Sequence, residues 1–227
     1  MAPYIPIILV VCVAATIGFL VYYFSLKQRI IRKLKTINIK PIGSLKTNEL
    51  SKITGKALHV KEPLLAPFSK RPCIFYSIKI EERKSSGKSS HWKTIYKEDK
   101  FQDFFVERNG DYVIVQPIQS PKNYLSFLVI DKKETSGTFN DPSSEFEELL
   151  KSYNINTTGF LGFNKALRYT EGIIEVGELI TVAGIAKWKS LSQPIEGYSY
   201  SKISALESSD KEKIIITDLP LENRNRR

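Results

Sequence analysis

The feature that most constrains this chain is an apolar run close to its start. Residues 5–24 read IPIILVVCVAATIGFLVYYF, and the first charged residue of the chain is Lys27. Twenty residues of α-helix measure about 30 Å, which is the thickness of a bilayer's hydrocarbon core. A backbone in lipid has to satisfy its own hydrogen bonds, and this requirement favours a helix. The sequence therefore predicts a transmembrane helix over residues 5–24.

The alternative for this run is a cleaved signal peptide. The preceding residues carry no basic side chain, the apolar run is longer than the core of a usual signal, and no small-x-small cleavage pattern follows it. We therefore expect an uncleaved anchor. No second run reaches 18 apolar residues, so the sequence predicts a single pass.

The net charge of +10 is concentrated beside this segment. Residues 27–40 contain six basic side chains and no acidic one, and residues 222–227 add +2, so that only +2 remains for residues 41–221. Basic flanks stay on the cytoplasmic side of a membrane, which predicts an amino terminus outside and a cytoplasmic carboxy-terminal domain. A nucleic-acid-binding domain needs a basic stripe on its folded body, and the near-neutral body argues against that class of partner.

The basic run also predicts contacts with the bilayer. A basic residue beside an anionic membrane surface gains about 1 kcal/mol. The predicted headgroup contacts are Lys27, Arg29, Arg32, Lys33 and Lys35. We assign residues 25–54 to a basic juxtamembrane helix and linker, with a short second helix over residues 44–54. A lipid-sensing domain that uses residues 27–40 is one interpretation of this run.

Beyond Gly55 the sequence is typical of β-strands joined by short turns. Residues 73–82 alternate apolar and polar side chains with period two, and Asn109-Gly110 is a strong hairpin signal. Residues 83–90 are predicted to form a hairpin loop, and residues 213–217 a last edge strand. We predict a mainly antiparallel β-rich (α+β) soluble domain, a small barrel or curled sheet with one or two helices, after the transmembrane helix.

The sequence offers few groups for catalysis or metal binding. It has two cysteines and two histidines. Cys12 lies in the predicted membrane span and Cys73 in the soluble domain, so they cannot pair or share a metal ion. Neither His59 nor His91 is accompanied by a nucleophile motif. We expect no catalytic residue, no cofactor and no metal; Cys73 is predicted to be a core side chain, and a thiol enzyme that uses it is the alternative.

Several blocks of this sequence resemble the GIDE domain, also called the BAM ("beside a membrane") domain. Residues 64–82, LLAPFSKRPCIFYSIKIEE, match its opening pattern, and Trp92-Lys93-Thr94 and Asn109-Gly110 follow in order. Residues 168–186, RYTEGIIEVGELITVAGIA, resemble its ending. The resemblance covers residues 55–190, which we take as the domain, and leaves residues 191–227 as a carboxy-terminal extension with a basic tail.

The resemblance implies a membrane protein of a family that includes E3 ubiquitin ligases. In eukaryotic members this domain accompanies a RING finger, whereas many prokaryotic relatives carry it on an anchor alone. A RING binds two zinc ions with eight Cys or His ligands, and this sequence has four such residues, one of them in the anchor. Ubiquitin-ligase activity would therefore need a RING supplied by another chain.

Two classes of function remain for the matched residues. The first is a non-catalytic, membrane-anchored module that binds another protein, and the second is an enzyme or ligase component. For the first, the candidate partner-binding groove consists of Arg71, Tyr76, Glu81, Trp92, Arg168 and Glu171. The competing interpretation is structural, with Tyr76, Trp92 and Tyr169 forming one aromatic cluster in the core.

Overall fold

The computed structural model describes residues 5–87, 89–159, 162–190 and 202–220. It confirms the predicted fold class: an amino-terminal apolar helix precedes a mostly antiparallel β-rich domain with few helices. The helices are α1 (Ile5–Phe24), α2 (Leu26–Thr36) and α3 (Ser144–Ser152). Among the described residues, α1 alone is long and apolar enough to cross a membrane, with a mean hydropathy of 2.5 over Ile7–Phe24 and no buried residue in that window.

Twelve strands occur in the described ranges. They are β1 (Leu50–His59), β2 (Leu64–Leu65), β3 (Pro72–Ser86), β4 (Ser89–Phe101), β5 (Phe104–Arg108), β6 (Asp111–Val115), β7 (Tyr124–Phe127), β8 (Lys132–Ser136), β9 (Leu167–Glu175), β10 (Leu179–Ser190), β11 (Lys202–Glu207) and β12 (Ile214–Thr217). The β5–β6 hairpin turns at Asn109-Gly110 as predicted, with φ of 55° and 83° at these two residues. The β3–β4 turn is tighter than the predicted loop over residues 83–90, because both strands continue to Ser86 and Ser89.

Five of these strands close into a small barrel. Their order is β1–β5–β6–β11–β10, and β10 pairs with β1 to complete the ring. The barrel is filled by apolar side chains that are fully or almost fully buried, among them Ile53, Val106, Val113, Val182 and Leu206. Gly55 lies where β1 passes β5, and a Cβ atom there would lie 2.2 Å from the Glu107 carbonyl oxygen. Closure of the ring therefore depends on a residue without a side chain at this position.

The barrel sheet extends beyond the ring through two further strands. β12 pairs with β10 and, in parallel, with β7. The prediction of an edge strand at residues 213–217 is wrong, because β12 has a neighbour on each side. The residues expected to form a carboxy-terminal extension thus supply β11 and β12 to the barrel sheet. The basic tail at 222–227 lies outside the described residues.

The predicted helix over residues 44–54 is also wrong. The structure has one 3-10 turn at Ile42–Ser44, and β1 begins at Leu50. The spacing of Leu50 and Ile53 fits a helical face locally, but both residues pair with β10, with Leu50 opposite Ile185 and Ile53 opposite Val182. Long-range strand pairing decides the local structure here.

The second sheet is open. β3 is its central strand, with β9 and then β8 on one side and β2 and β4 on the other. Helix α3 packs over one face through Phe146, Leu149 and Leu150. The other face of this sheet meets the barrel at Phe75 and Ile174, which share a core with the barrel residues. Further along β3, beyond Ile78, this face is not covered by the barrel core.

Candidate functional site

Two of the predicted site residues meet on the uncovered face of the open sheet. Glu81 of β3 and Arg168 of β9 are direct cross-strand partners. The Nε and Nη2 groups of Arg168 both donate to Glu81 Oε2, at 2.8 and 2.6 Å. Lys79, two residues earlier on the same face, places its Nζ 3.1 Å from Glu81 Oε1. The carboxylate is almost fully buried between these two cations.

The pKa of Glu81 reflects this arrangement. Burial by itself raises the pKa of a carboxyl group, because it disfavours the charged form. The hydrogen bonds from Lys79 and Arg168 outweigh burial and hold the pKa of Glu81 below its ordinary value. Glu81 is therefore a fixed negative charge that holds Arg168 in place, and it is not suited to donate a proton near neutral pH.

Trp92 of β4 completes this group of side chains. The Arg168 guanidinium carbon lies 4.3 Å from the centre of the Trp92 ring, within the range of a cation–π contact. Arg83, the cross-strand partner of Trp92, donates to Ser90 Oγ through Nε and Nη2 at 3.0 and 2.8 Å. We call this surface the arginine–tryptophan face; its residues are Lys79, Glu81, Arg83, Trp92 and Arg168. Trp92 is 37% exposed there.

The core cluster proposed for three aromatic residues does not form as predicted. Tyr76 and Tyr169 are buried in one core beneath α3. Trp92 lies on the opposite face of the sheet, with Arg168, so the prediction that it belongs to that cluster is wrong. The bulge between Ile80 and Glu81 shifts the register of β4 against β3, which is a change that a period-two pattern in one strand does not report.

Glu171 lies inside the protein and not on the rim of a groove. It is fully buried, and its carboxylate accepts hydrogen bonds from the backbone N–H groups of Phe68 and Ser69, at 2.9 and 3.1 Å. The hydroxyl of Tyr169 donates a third hydrogen bond at 2.8 Å. Glu171 therefore holds the loop between β2 and β3. The alternation of β9 indicates that Glu171 is buried, because Tyr169, Glu171 and Ile173 follow each other at intervals of two residues and share a face.

Arg71 also lies apart from the arginine–tryptophan face. Its guanidinium group pairs with Asp131 at 3.1 Å and with Glu175 at 2.9 Å. Burial lowers the pKa of Arg71, but these partners outweigh it and raise the pKa above its ordinary value. Of the six predicted groove residues, the structure brings together Glu81, Trp92 and Arg168, and it places Arg71, Tyr76 and Glu171 elsewhere.

The remaining candidates for chemistry do not form a reactive site. Cys73 is fully buried, and burial, with smaller contributions from Glu171 and Glu175, raises its pKa to about 12. The thiol is therefore protonated at neutral pH, which opposes a thiolate nucleophile. His59 and His91 are exposed strand residues. Within the described ranges, no group of three or more His, Cys, Asp or Glu side chains is arranged to hold a metal ion.

The predicted lipid contacts lie on α2, which is bound to the folded body. Ile30 and Leu34 of α2 pack against the barrel sheet, and Lys52 of β1 donates from Nζ to the Leu34 carbonyl oxygen at 2.5 Å. Of the five predicted headgroup contacts, Lys27, Arg29 and Lys35 are exposed, whereas Lys33 pairs with Glu212. Arg32 stacks on Tyr23, with its guanidinium carbon 3.9 Å from the ring centre.

No protein-family model, curated protein or solved structure matches this chain. The resemblance to the GIDE domain therefore stays a prediction that rests on the sequence blocks quoted above. The case for a function depends on the geometry of the chain itself.

Proposed function

We propose that this protein is a membrane-anchored, non-catalytic module that binds another protein through its arginine–tryptophan face. α1 is the anchor, and the basic residues that follow it keep the folded domain on the cytoplasmic side. The observation that carries the proposal is the position of Arg168, whose guanidinium group lies between the Glu81 carboxylate and the half-exposed Trp92 ring.

This arrangement suits protein binding for two physical reasons. Tryptophan and arginine are enriched among the residues that dominate binding energy at protein interfaces. A side chain that is already held in one conformation also loses less entropy when a partner binds. Arg168 is held by two hydrogen bonds to Glu81, at 2.8 and 2.6 Å, before any partner arrives.

The edge of the open sheet adds to this surface. Among the described strands, β4 pairs with β3 alone, so its outer edge carries unpaired backbone groups. Exposed basic side chains lie along this strand, among them Lys93, Lys97 and Lys100. Charges of this kind discourage uncontrolled pairing between edges while leaving the face accessible.

A pair of tryptophan variants tests the proposal. Trp92→Ala removes the ring from the arginine–tryptophan face, and Trp188→Ala, which removes a ring that is 51% exposed on β10, is the matched control. Partners captured by cross-linking the full-length protein in its native membranes are compared between the variants. We expect a stoichiometric partner with the unmodified protein and with Trp188→Ala, and its loss with Trp92→Ala. A partner captured equally well by all three proteins would refute the assignment of the face.

The same capture tests the ligase-component alternative, which rests on the GIDE resemblance. That alternative requires a zinc-binding RING protein among the partners lost with Trp92→Ala. The proposed orientation is checked separately with sealed cytoplasm-side-out vesicles. Added protease should digest the folded domain in such vesicles, and full protection of the domain would reverse the assigned topology.

A further inference from the structure

The start of α2 is held against the end of α1. Ser25 separates the two helices with an extended backbone, at φ −57° and ψ 149°. In one continuous helix Arg32 would lie about 13 Å further along the axis than Tyr23. Instead, Arg32 Nη1 donates to the Tyr23 carbonyl oxygen at 2.6 Å, and Gln28 Nε2 donates to the Tyr22 hydroxyl at 2.7 Å. The chain therefore turns at Ser25, and α2 stays beside the end of the anchor.

This turn brings one end of the barrel sheet to the anchor. Lys27 lies over the ring of Phe127, with its Nζ 5.7 Å from the ring centre. At the other end of α2, Lys33 pairs with Glu212, which precedes β12. The start of α2 thus lies at the end of β7, and the later part of α2 lies near the residues that precede β12. Because β7 and β12 run parallel to each other, α2 runs antiparallel to both. The end of β7 is therefore the part of this sheet that lies next to the anchor.

Two exposed apolar side chains follow at this place. Val129 is 43% exposed and Ile130 is 59% exposed. Their loop is fixed: Val129 N–H donates to both carboxylate oxygens of Asp218 at 2.9 Å, and Asp131 N–H donates to the Glu171 carbonyl oxygen at 2.8 Å. Two exposed apolar side chains are thus carried by a hydrogen-bonded loop that follows the end of β7.

Basic and acidic side chains surround this loop, and the basic ones include Lys27 at the start of α2. Asp131 is paired with Arg71, which also pairs with Glu175, and Asp218 accepts the Val129 N–H. Glu178 adds a further negative charge close to Asp218. Lys27 lies over Phe127 at the start of the loop, and Lys132, which pairs with Glu134, follows its end. Apolar side chains with adjacent basic residues are typical of segments that lie in the interface of a bilayer.

We infer that the loop at residues 128–131 is a second contact with the bilayer, in which Val129 and Ile130 insert among the lipid headgroups and upper acyl chains. The inference rests on the proposed anchoring by α1. A tethered surface meets its target at a high effective concentration, so the anchor keeps the bilayer within reach of this loop at all times. The two contacts together fix how the folded body lies on the membrane.

Single-cysteine variants of the full-length protein in lipid vesicles test the inference. Each carries a polarity-sensitive fluorophore, and quenching is measured with spin labels placed at the headgroup and at two depths of the acyl chain. The test position is Ile130→Cys with Cys12 and Cys73 replaced by Ala. Phe139→Cys in the same background is the control, because Phe139 is fully exposed and β8 carries the chain about 16 Å away from residue 131. Native Cys12, with Cys73 alone replaced, reports on the anchor.

We expect blue-shifted emission and quenching by shallow labels at residue 130, quenching by deep labels at residue 12, and neither at residue 139. Quenching at residue 12 with aqueous emission at residue 130 would overturn the inference and leave the anchor intact. Aqueous emission at residue 12 would overturn the anchor and the inference together. Equal shallow quenching at residues 130 and 139 would also overturn the inference, because it would indicate unspecific contact of the whole body with lipid.

Discussion

The barrel and the open sheet differ in how their outer strands end. In the barrel, β1 and β10 pair with each other, so the ring of five strands has no free edge. In the open sheet, β4 and β8 each have one strand neighbour among the described residues. Closure requires a close backbone approach at Gly55, whereas the open sheet leaves charged and aromatic side chains accessible. The closed part and the accessible part are thus built from one continuous chain.

Breaking the ring should have the largest effect on stability. Gly55→Ala places a Cβ atom 2.2 Å from the Glu107 carbonyl oxygen, so β1 and β5 have to separate. We expect a loss of about 3 kcal/mol in the free energy of unfolding, as for a severe overpacking of a core. Denaturant unfolding of the detergent-solubilised protein, followed by tryptophan fluorescence, measures it. Gly137→Ala is the control, because its nearest atom is 4.0 Å away; an equal loss there would contradict the proposed clash.

Removing one buried charge should have the next largest effect, and it should act on the open sheet. Glu171→Gln replaces one of the two oxygens that together accept three hydrogen bonds by an NH₂ group, which cannot accept the bonds made at that position. We expect a loss of about 2 kcal/mol. Hydrogen exchange should also speed up at Phe68 and Ser69. Glu147→Gln, on the surface of α3, should leave both quantities unchanged, and protected amides at Phe68 and Ser69 in Glu171→Gln would count against this role.

Trp92→Ala should change stability only slightly. The ring is half-exposed, and its main described contact is the cation–π contact with Arg168, for which about 0.5–1 kcal/mol is typical at exposed sites. The measurement is again the free energy of unfolding in detergent. A loss comparable to that of Gly55→Ala would make Trp92 a core residue and would weaken the case that the arginine–tryptophan face exists for binding.

The last expected effect is a pH dependence of stability at the junction of the two sheets. Burial first, and then the negative charges of Glu178 and Asp131, raise the pKa of Asp218 from 3.8 to about 6, against the lowering effect of the Val129 N–H. Ionisation of Asp218 therefore costs more in the folded than in the unfolded protein, and this cost lowers the free energy of unfolding as pH rises from 3.8 to about 6.

Asp218→Asn removes this contribution. The stability of the unmodified protein should therefore decrease relative to that of Asp218→Asn as pH rises through this window, and the difference should be constant above it. Denaturation curves of both proteins at several pH values measure the difference. A difference that does not change with pH would show that Asp218 ionises normally.

The comparison of the two sheets also indicates what the sequence can predict. The faces of β3 follow from the alternation only from Tyr76 onward, where Tyr76, Ile78 and Ile80 share the core beneath α3. The expected place of Ile74 on that face is wrong: it lies with Phe75 in the barrel core, because the register against β9 shifts between Cys73 and Phe75.

The turn at Asn109-Gly110 was predictable, since these residues adopt positive φ readily. Barrel closure was not, because Leu50 and Ile185 are far apart in the chain and no local pattern identifies them as partners.

The candidate site was predictable to a smaller extent. Glu81 and Arg168 follow from polar positions on adjacent strands, but the contact of Arg168 with Trp92 depends on the register of β4, which the bulge after Ile80 changes. The buried position of Glu171 agrees with alternation in β9. What the sequence did not reveal is that a loop two strands away supplies the N–H groups that this carboxylate needs.

The attachment of α2 to the barrel sheet has a mechanical consequence. The hydrogen bond from Lys52 to Leu34 and the packing of Ile30 hold α2 on the folded body. Ser25 is therefore the residue that joins the body to α1, and Arg32 donates a hydrogen bond across it to Tyr23. The body therefore cannot rotate freely relative to α1, and a rotation of α1 about its own axis turns the whole folded body with it. If two α1 helices associated side by side in a membrane, their contact would accordingly determine which faces of the two folded bodies are turned toward each other.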